Sequence, residues 1–453
     1  MTQIQYANNK RLIIGLGMTG LSAARYCIQQ GWPVDLCDTR AQLPQADEIR
    51  REFPHSRLTL GPLLADDLRH YQQLIVSPGV ALSEPAIVQA MAHGVDVVGD
   101  VQLFADVVTA PIVAITGSNG KSTVTTLTAE ILKSAGLRVG MGGNIGIPVL
   151  DLLAQGEMDV YVLELSSFQL ETTPRLSAHS ATILNISADH LDRYADMTDY
   201  VHAKQRIFQD CQRVVLNRDD PVSWPLDLSM STVGFTTESS QQDFALVQTD
   251  GVDAVTRDGH IVLRSDELRM KGRHNLANVM AALALAQPWL TDWKAAVHTV
   301  KVFAGLPHRC QWVASVQGVD CYNDSKGTNV GSTMAAIAGL HPSTRGRMWL
   351  FLGGVAKGQD FSQLGELCEQ LGIRVCVYGQ DRAALTEQLS RSVIMAVVNT
   401  LSEAFAVATN AARDGDVLLF SPACASFDQF DHYEARGEYF VSLVTAWQSG
   451  CRP

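Results

Sequence analysis

The sequence predicts an α/β protein built from three consecutive parallel-sheet units. Three observations carry this. Apolar runs of strand length alternate with segments of helical period from end to end. Most of those runs stop at a glycine- or serine-bearing turn. The chain, at 453 residues, exceeds what one hydrophobic core organises, so about three domains are expected. The pattern breaks near residues 100 and 305, dividing the chain into 1–100, 101–305 and 306–453.

In the first unit, RLIIGLG (11–17) reads as a buried strand running into a glycine turn. MTGLSAARYCIQQG follows with helical spacing and stops on Gly31. VDLCDT, LIVSPG (74–79) and VDVVGD continue the alternation. The second set begins at PIVAITG (111–117) and runs through DVYVLELS (159–166), SATILNIS (180–187) and CQRVVLNR (211–218). Residues 219–270, rich in Asp, Ser, Thr and Gln, read as short antiparallel strands and loops, and NLANVMAALALA predicts a helix after Gly272. After GLPHR (305–309) come VDCYNDS, RMWLFLGG, RVCVYG, VIMAVV and DVLLFSP, the strands of the third set. No solenoid-type repeat is present.

Composition removes several classes of function. The net charge of -12 excludes a general nucleic-acid binder, which needs a basic face, but leaves room for small anionic ligands held by a few donors. The nine cysteines are scattered without a C-x-x-C pair and read as buried, reduced thiols of a cytosolic protein. The stretch MTQIQYANNK lacks the apolar core of a signal peptide, and no apolar run approaches the ~20 residues that span a bilayer.

Gly15, Gly17 and Gly20 form G-x-G-x-x-G between a strand and a helix, with Asp38 at the end of the next strand. This fits a dinucleotide fingerprint, and equally a tight turn that binds no nicotinamide cofactor or holds the diphosphate of a UDP-sugar. TGSNGKST (116–123) is more specific. A strand feeds a glycine loop whose amides can cradle phosphates, Lys121 can reach the β/γ-phosphates, and a hydroxyl can hold Mg²⁺. Ile115 stands five residues before Gly120, so this is a shortened relative of the strict P-loop. Glu164 and His190 follow predicted strands, where α/β sheets place ligand chemistry; each could also be an ordinary hydrogen-bonded residue. Lys204, in YVHAKQRIF, carries no signal alone. NDSKGTN (323–329), LGGVAKGQDF (352–361) and SPACASFDQF (421–430) each follow a strand, and read either as one binding surface for an anion or as three plain βα loops.

TGSNGKST, ELSSFQLE, NISADHLDR, GRHNLANVMAA, GLPHR, NDSKGTN and SPACASFDQF occur in this order across nearly the whole chain. Together they resemble the Mur ligases, and the last three resemble the D-glutamate-adding branch. The resemblance implies a Rossmann-like N-terminal domain for a UDP-sugar, a central P-loop-type ATP-binding domain and a Rossmann-like C-terminal domain for the incoming amino acid. It implies a cytoplasmic, monomeric ligase with no nucleic-acid or membrane partner. Using ATP and two Mg²⁺ ions, it would join D-glutamate to UDP-N-acetylmuramoyl-L-alanine through an acyl phosphate, in peptidoglycan precursor synthesis.

By the same resemblance, Gly17, Thr19, Thr39, Arg40, Ser77, Gly79, Asn144, Gln169 and His190 would contact the UDP-sugar or its alanyl carboxylate. Gly117, Ser118, Asn119, Gly120, Lys121, Ser122 and Thr123 would hold the ATP phosphates, Asn275 and Asn278 would face adenine, and Arg309 and Asp324 would serve the nucleotide. Ser122 and Glu164 would hold one Mg²⁺; His190 and Lys204, the latter as a carbamate, would hold a second. Thr328, Lys357, Ser426 and Tyr433 would hold D-glutamate. Lys121, His190 and Lys204 are the catalytic expectation. Ser118, Gly327 and Tyr433 depart from the family's usual Thr, Ala and Phe.

Overall fold

The computed structural model describes residues 10–187, 193–240, 243–270 and 272–450. By compactness they form two units, the first running to Arg264 with Ala277–Val300, the second comprising Ser265–Leu276 and the residues from Lys301 onward.

The first unit contains two sheets. One is made of β1 (Arg11–Ile14), β2 (Val34–Asp38), β3 (Leu58–Leu60), β4 (Gln73–Val76) and β5 (Asp96–Val98), all parallel in the order β3-β2-β1-β4-β5. The strands read as continuous Val/Ile/Leu runs because helices cover both faces of a parallel sheet. The chain reverses its winding between β1 and β4, which puts the crevice outside their carboxyl ends. The second sheet holds β6 (Ile112–Thr116), β7 (Val139–Gly143), β8 (Val160–Glu164), β9 (Ser180–Ile183), β10 (Arg213–Asn217), β11 (Ser231–Phe235), β12 (Phe244–Thr249), β13 (Val252–Arg257) and β14 (His260–Arg264). Its order is β14-β13-β12-β11-β10-β9-β6-β8-β7, parallel from β7 to β12 and antiparallel across β12-β13-β14. Of the polar stretch 219–270, β12, β13 and β14 form the antiparallel strands its composition predicts, while β11 pairs parallel with both β10 and β12.

The second unit contains β15 (Gln311–Val316), β16 (Val319–Asn323), β17 (Met348–Gly353), β18 (Arg374–Tyr378), β19 (Ile394–Val397) and β20 (Val417–Phe420), in the order β15-β16-β20-β17-β18-β19. Only β15 is antiparallel, forming a hairpin with β16 that the sequence reading did not include. β16, β20 and β17 lie side by side, so the loops at 323–329, 421–430 and 352–361 leave the same edge of the sheet. No described cysteine is paired; burial pushes the Cys321 and Cys376 thiols up to about 12, which keeps them protonated. Among the described residues no helix is long and apolar enough to cross a membrane.

Candidate active site

The first site follows β1. Gly15 turns the chain at φ +90°, and its carbonyl accepts from Ser77 Oγ (2.6 Å) at the end of β4. A Cβ on Gly20 would fall 1.9 Å from Gly15 O, so the helix Met18–Gln29 can approach the turn only with glycine there. Asp38 closes the turn from β2. Its carboxylate accepts from the Leu16 amide (2.8 Å), the Arg40 amide (3.0 Å) and both Arg40 Nε and Nη2 (2.8 Å each). Burial pushes this carboxyl up, but the Arg40 guanidinium and the two amides outweigh it and hold it at about 2. Around the turn lies a cavity of about 530 Å³, lined by Gly17, Thr19, Thr39, Arg40, Ser77, Gly79, Asn144 and Gln169. All eight described residues that the Mur ligase resemblance assigns to the UDP-sugar line one space; His190 lies outside the described residues. Gly143, Gly146 and Pro148 also line it and were missed, although GGNIGIP after a strand is itself a turn signal.

The second site follows β6, whose residues are fully buried. Gly117 (φ +149°) and Gly120 (φ +84°) bend the loop, and a Cβ on Gly120 would meet Asn278 Oδ1. The loop is fixed from β9: Ser118 N donates to Asn185 O (2.9 Å), Asn119 N to Asn185 Oδ1 (2.8 Å), and Ser118 Oγ to Ser187 O (3.0 Å). The helix Lys121–Ser134 then opens with no side-chain cap, so its dipole and first amides point to the loop. Lys121 Nζ donates to Gly117 O (2.7 Å) and Ser118 O (2.9 Å). Lys204, only 2% exposed, reaches the same Gly117 O (3.1 Å) and Thr116 Oγ1 (3.3 Å), with its ammonium 4.7 Å from the Tyr200 ring centroid. Two cations thus share one carbonyl, an arrangement that favours an anion. Glu164 ends β8 beside β6; its Oε1 accepts from Asn144 Nδ2 (2.8 Å), while its buried Oε2 has no hydrogen-bond partner. An orphaned, buried carboxylate oxygen beside a phosphate loop fits a divalent cation, which would satisfy it. Asn144 thereby joins the cavity wall to Glu164.

In the second unit the three loops converge. Val355 and Ala425 exchange backbone hydrogen bonds (3.0 Å each), Ala423 N donates to Gly327 O (2.8 Å), and Ser325 Oγ donates to Tyr433 O (2.8 Å). Gln359 Nε2 reaches Ala423 O (3.1 Å) and Ala356 O (3.0 Å). Thr328, Lys357 and Ser426 lie on these segments, and Tyr433 opens the helix Tyr433–Gln448 that follows the last of them. Lys357 sits in the left-handed region at φ +54°, and Lys326 Nζ lies 3.9 Å from the Tyr433 ring centroid. Asp324 is buried, accepting from Ser421 Oγ (2.6 Å) and Cys310 N (3.0 Å). Burial raises its carboxyl to about 6 against the pull of these bonds and of Arg309 and Arg436.

Models of three Mur ligase domains match successive stretches of this chain: the MurD-like N-terminal domain at 9–99, the middle domain at 115–286 and the glutamate ligase domain at 308–424. The chain belongs to the Mur ligase family. It is 45% identical to the UDP-N-acetylmuramoylalanine–D-glutamate ligase of Marinobacter nauticus, over 97% of this chain and 98% of that one. Identity to the protein of the same description from Pseudomonas aeruginosa is 44%, over 96% and 97% of the two chains. The fold is also that of the MurF ligase of Thermotoga maritima, solved in complex with ADP (TM-score 0.61, 15% identity, both chains covered fully).

Within this Mur ligase the two glycine turns and Glu164 lie at the carboxyl ends of parallel strands, and the three C-terminal loops leave adjacent strands. Sequence reasoning missed the residues that hold them. Asn185 and Tyr200 brace the phosphate loop, and Gln359 and Arg436 brace the C-terminal loops; Asn185, Tyr200 and Gln359 stand inside segments the sequence reading quoted, but nothing local marks them as braces. Asn278 packs against the phosphate loop; Asn275, one helical turn earlier, belongs to the second unit.

Proposed function

We propose that this chain is an ATP-dependent ligase that joins the amine of D-glutamate to the alanyl carboxylate of UDP-N-acetylmuramoyl-L-alanine, releasing ADP and phosphate in peptidoglycan precursor synthesis. Its full-length likeness to ligases named for that reaction carries this reading. Three domains with boundaries near residues 100 and 305 divide the labour, which the spans of the three family models support. The cavity after β1 takes the UDP-sugar, the loop after β6 takes ATP, and the loops after β16, β17 and β20 take D-glutamate. Arg309, Asp324, Asn275 and Asn278 serve the nucleotide. No described helix suits a membrane, which agrees with a cytoplasmic enzyme; we take it to act as a monomer.

A free carboxylate is a poor electrophile. The alanyl carboxylate attacks the γ-phosphorus of ATP, ADP leaves, and an acyl phosphate results. The amine of D-glutamate attacks its carbonyl carbon and loses a proton as phosphate departs. Lys121 and the uncapped helix amides offset charge on the transferring phosphoryl group. Ser122 and Glu164 would hold one Mg²⁺, and His190 with Lys204 a second; the ions supply further neutralisation of the phosphates. Lys204 serves there as a carbamate, formed from its neutral amine and CO₂ with release of a proton. What supports a role for Lys204 at this site is its place: it is buried, and its Nζ reaches Gly117 O, the carbonyl that Lys121 also bonds.

The deciding measurement is phosphate release from ATP with each nucleotide and amino-acid combination. Release is expected only with the alanyl nucleotide and D-glutamate together, and L-glutamate should be very poor. Equal rates with the two enantiomers would remove the D-glutamate assignment.

A further inference from the structure

The guanidinium of Arg436 is buried, and among the described residues it donates to neutral acceptors. The residue lies in the first turn of the helix Tyr433–Gln448 and is 1% exposed. Its Nε donates to Ser325 Oγ (3.1 Å), Nη2 to Ser325 O (2.9 Å), and Nη1 to Cys424 O (3.0 Å) and, more weakly, Gly353 O (3.5 Å). These acceptors belong to the loop after β16, the loop after β20 and the end of β17. One side chain thus ties together all three segments that line the proposed amino-acid site.

Burying a cation without a carboxylate partner costs free energy that neutral acceptors repay only in part. Asp324, the acid whose carboxyl feels Arg436, spends its two oxygens on Ser421 and Cys310 instead. A stapling role alone could be met by a neutral donor. What a guanidinium adds is a positive charge set in low dielectric among the loops that carry Thr328, Lys357 and Ser426, where it attracts an anion without touching it. We infer that Arg436 is a positioning residue for a dicarboxylate amino acid: it fixes the register of three loops and supplies a buried positive charge among them. This rests on the reading that these loops hold D-glutamate.

The test compares Arg436→Met, which removes charge and donors at similar volume, with Arg436→Lys, which keeps the charge. The Michaelis constants for D-glutamate, ATP and the UDP-sugar are each measured with the other substrates saturating, and thermal unfolding is followed in parallel. Arg436→Met should raise the D-glutamate constant by about tenfold or more and leave the other two within about twofold, while Arg436→Lys recovers part of the loss. An unchanged D-glutamate constant in folded Arg436→Met, or an equal rise in all three constants, overturns the inference. If the Met variant does not fold, Arg436→Lys decides: loss of the fork should still raise the D-glutamate constant by about threefold, selectively, and wild-type behaviour overturns the proposal. Wild-type enzyme that ignores D-glutamate but uses another amino acid would sink the substrate assignment alone, and the same split would then be read with that amino acid.

Discussion

The turn after β1 and the loop after β6 both carry a buried parallel strand into a glycine-opened helix, yet the charges around them are disposed in opposite ways. At the first turn the acid is spent internally: Asp38 binds the Leu16 amide and Arg40, and the cavity beside it is lined by glycines, the hydroxyls of Thr19, Thr39 and Ser77, and Arg40, Asn144 and Gln169. An NAD site of the dinucleotide type needs that acid for a ribose hydroxyl, so the fingerprint here describes a turn rather than its ligand. At the second loop the cations Lys121 and Lys204 converge on Gly117 O, with an unsatisfied carboxylate oxygen of Glu164 nearby in the sheet. Glycine spacing sets the bend; the ionic residues brought in from other strands decide what the bend can hold.

The sharpest way to break this comparison is to remove the cation that distinguishes the second loop. Lys121→Ala should lower ADP-forming turnover by about 10³-fold or more while the thermal transition stays within a few degrees. An active, well-folded variant would place ATP elsewhere. Lys204→Ala should cost about 10²-fold or more, and added formate or acetate should restore part of it if the missing group is an anion. Rescue by a small amine in place of the acid would instead mean that the unmodified ammonium is the working form.

Both loops were legible in the sequence because glycine, lysine and hydroxyl residues at fixed spacing after an apolar run are local features. The three C-terminal loops were legible for the same reason, and their convergence follows from three adjacent strands, β16, β20 and β17. What could not be read is set by non-local pairing. Lys204 sits 87 residues from Gly117, and nothing in YVHAKQRIF distinguishes its buried ammonium from a solvated one. Arg436 lies 111 residues from Ser325 in an ordinary helix start. β15 escaped because QWVASV alternates weakly and pairs antiparallel at the sheet edge.

Substituting a glycine in each turn sharpens the contrast between backbone and side-chain crowding. A Cβ at Gly20 meets a backbone oxygen, Gly15 O, at 1.9 Å; at Gly120 it meets the far end of a side chain, Asn278 Oδ1, at 2.5 Å. Gly20→Ala should therefore destabilise the first unit by about 2–4 kcal/mol, since the whole helix must shift. Gly120→Ala should cost about 1–2 kcal/mol, chiefly for its φ of +84°. Urea unfolding of both variants checks the order, and a reversed order would mean that the Met18–Gln29 helix is free to slide.

The smallest effect concerns Asp38, where the two regions differ in how pH acts on them. Its folded carboxyl stands at about 2, below the ordinary value near 3.9 of an unfolded chain, because Arg40 and two amides favour the charged form despite burial. A depressed carboxyl contributes stability that is fully present above about pH 4 and is lost as pH falls from there through about 2, where the folded group also takes up its proton. Arg40 is half-exposed, with 54% of its side chain accessible, so solvent screens the pair and the contribution is about 1–2 kcal/mol. Asp38→Asn keeps the shape and can still accept from the Leu16 amide, but it loses the ionic attraction to Arg40. Its deficit relative to wild type, measured by urea unfolding, should be near its maximum at pH 6 and shrink steadily between pH 4 and pH 2. A deficit of constant size across that range would mean that Asp38 acts by hydrogen-bond shape alone, and the contrast in charge between the two turns would lose its first member.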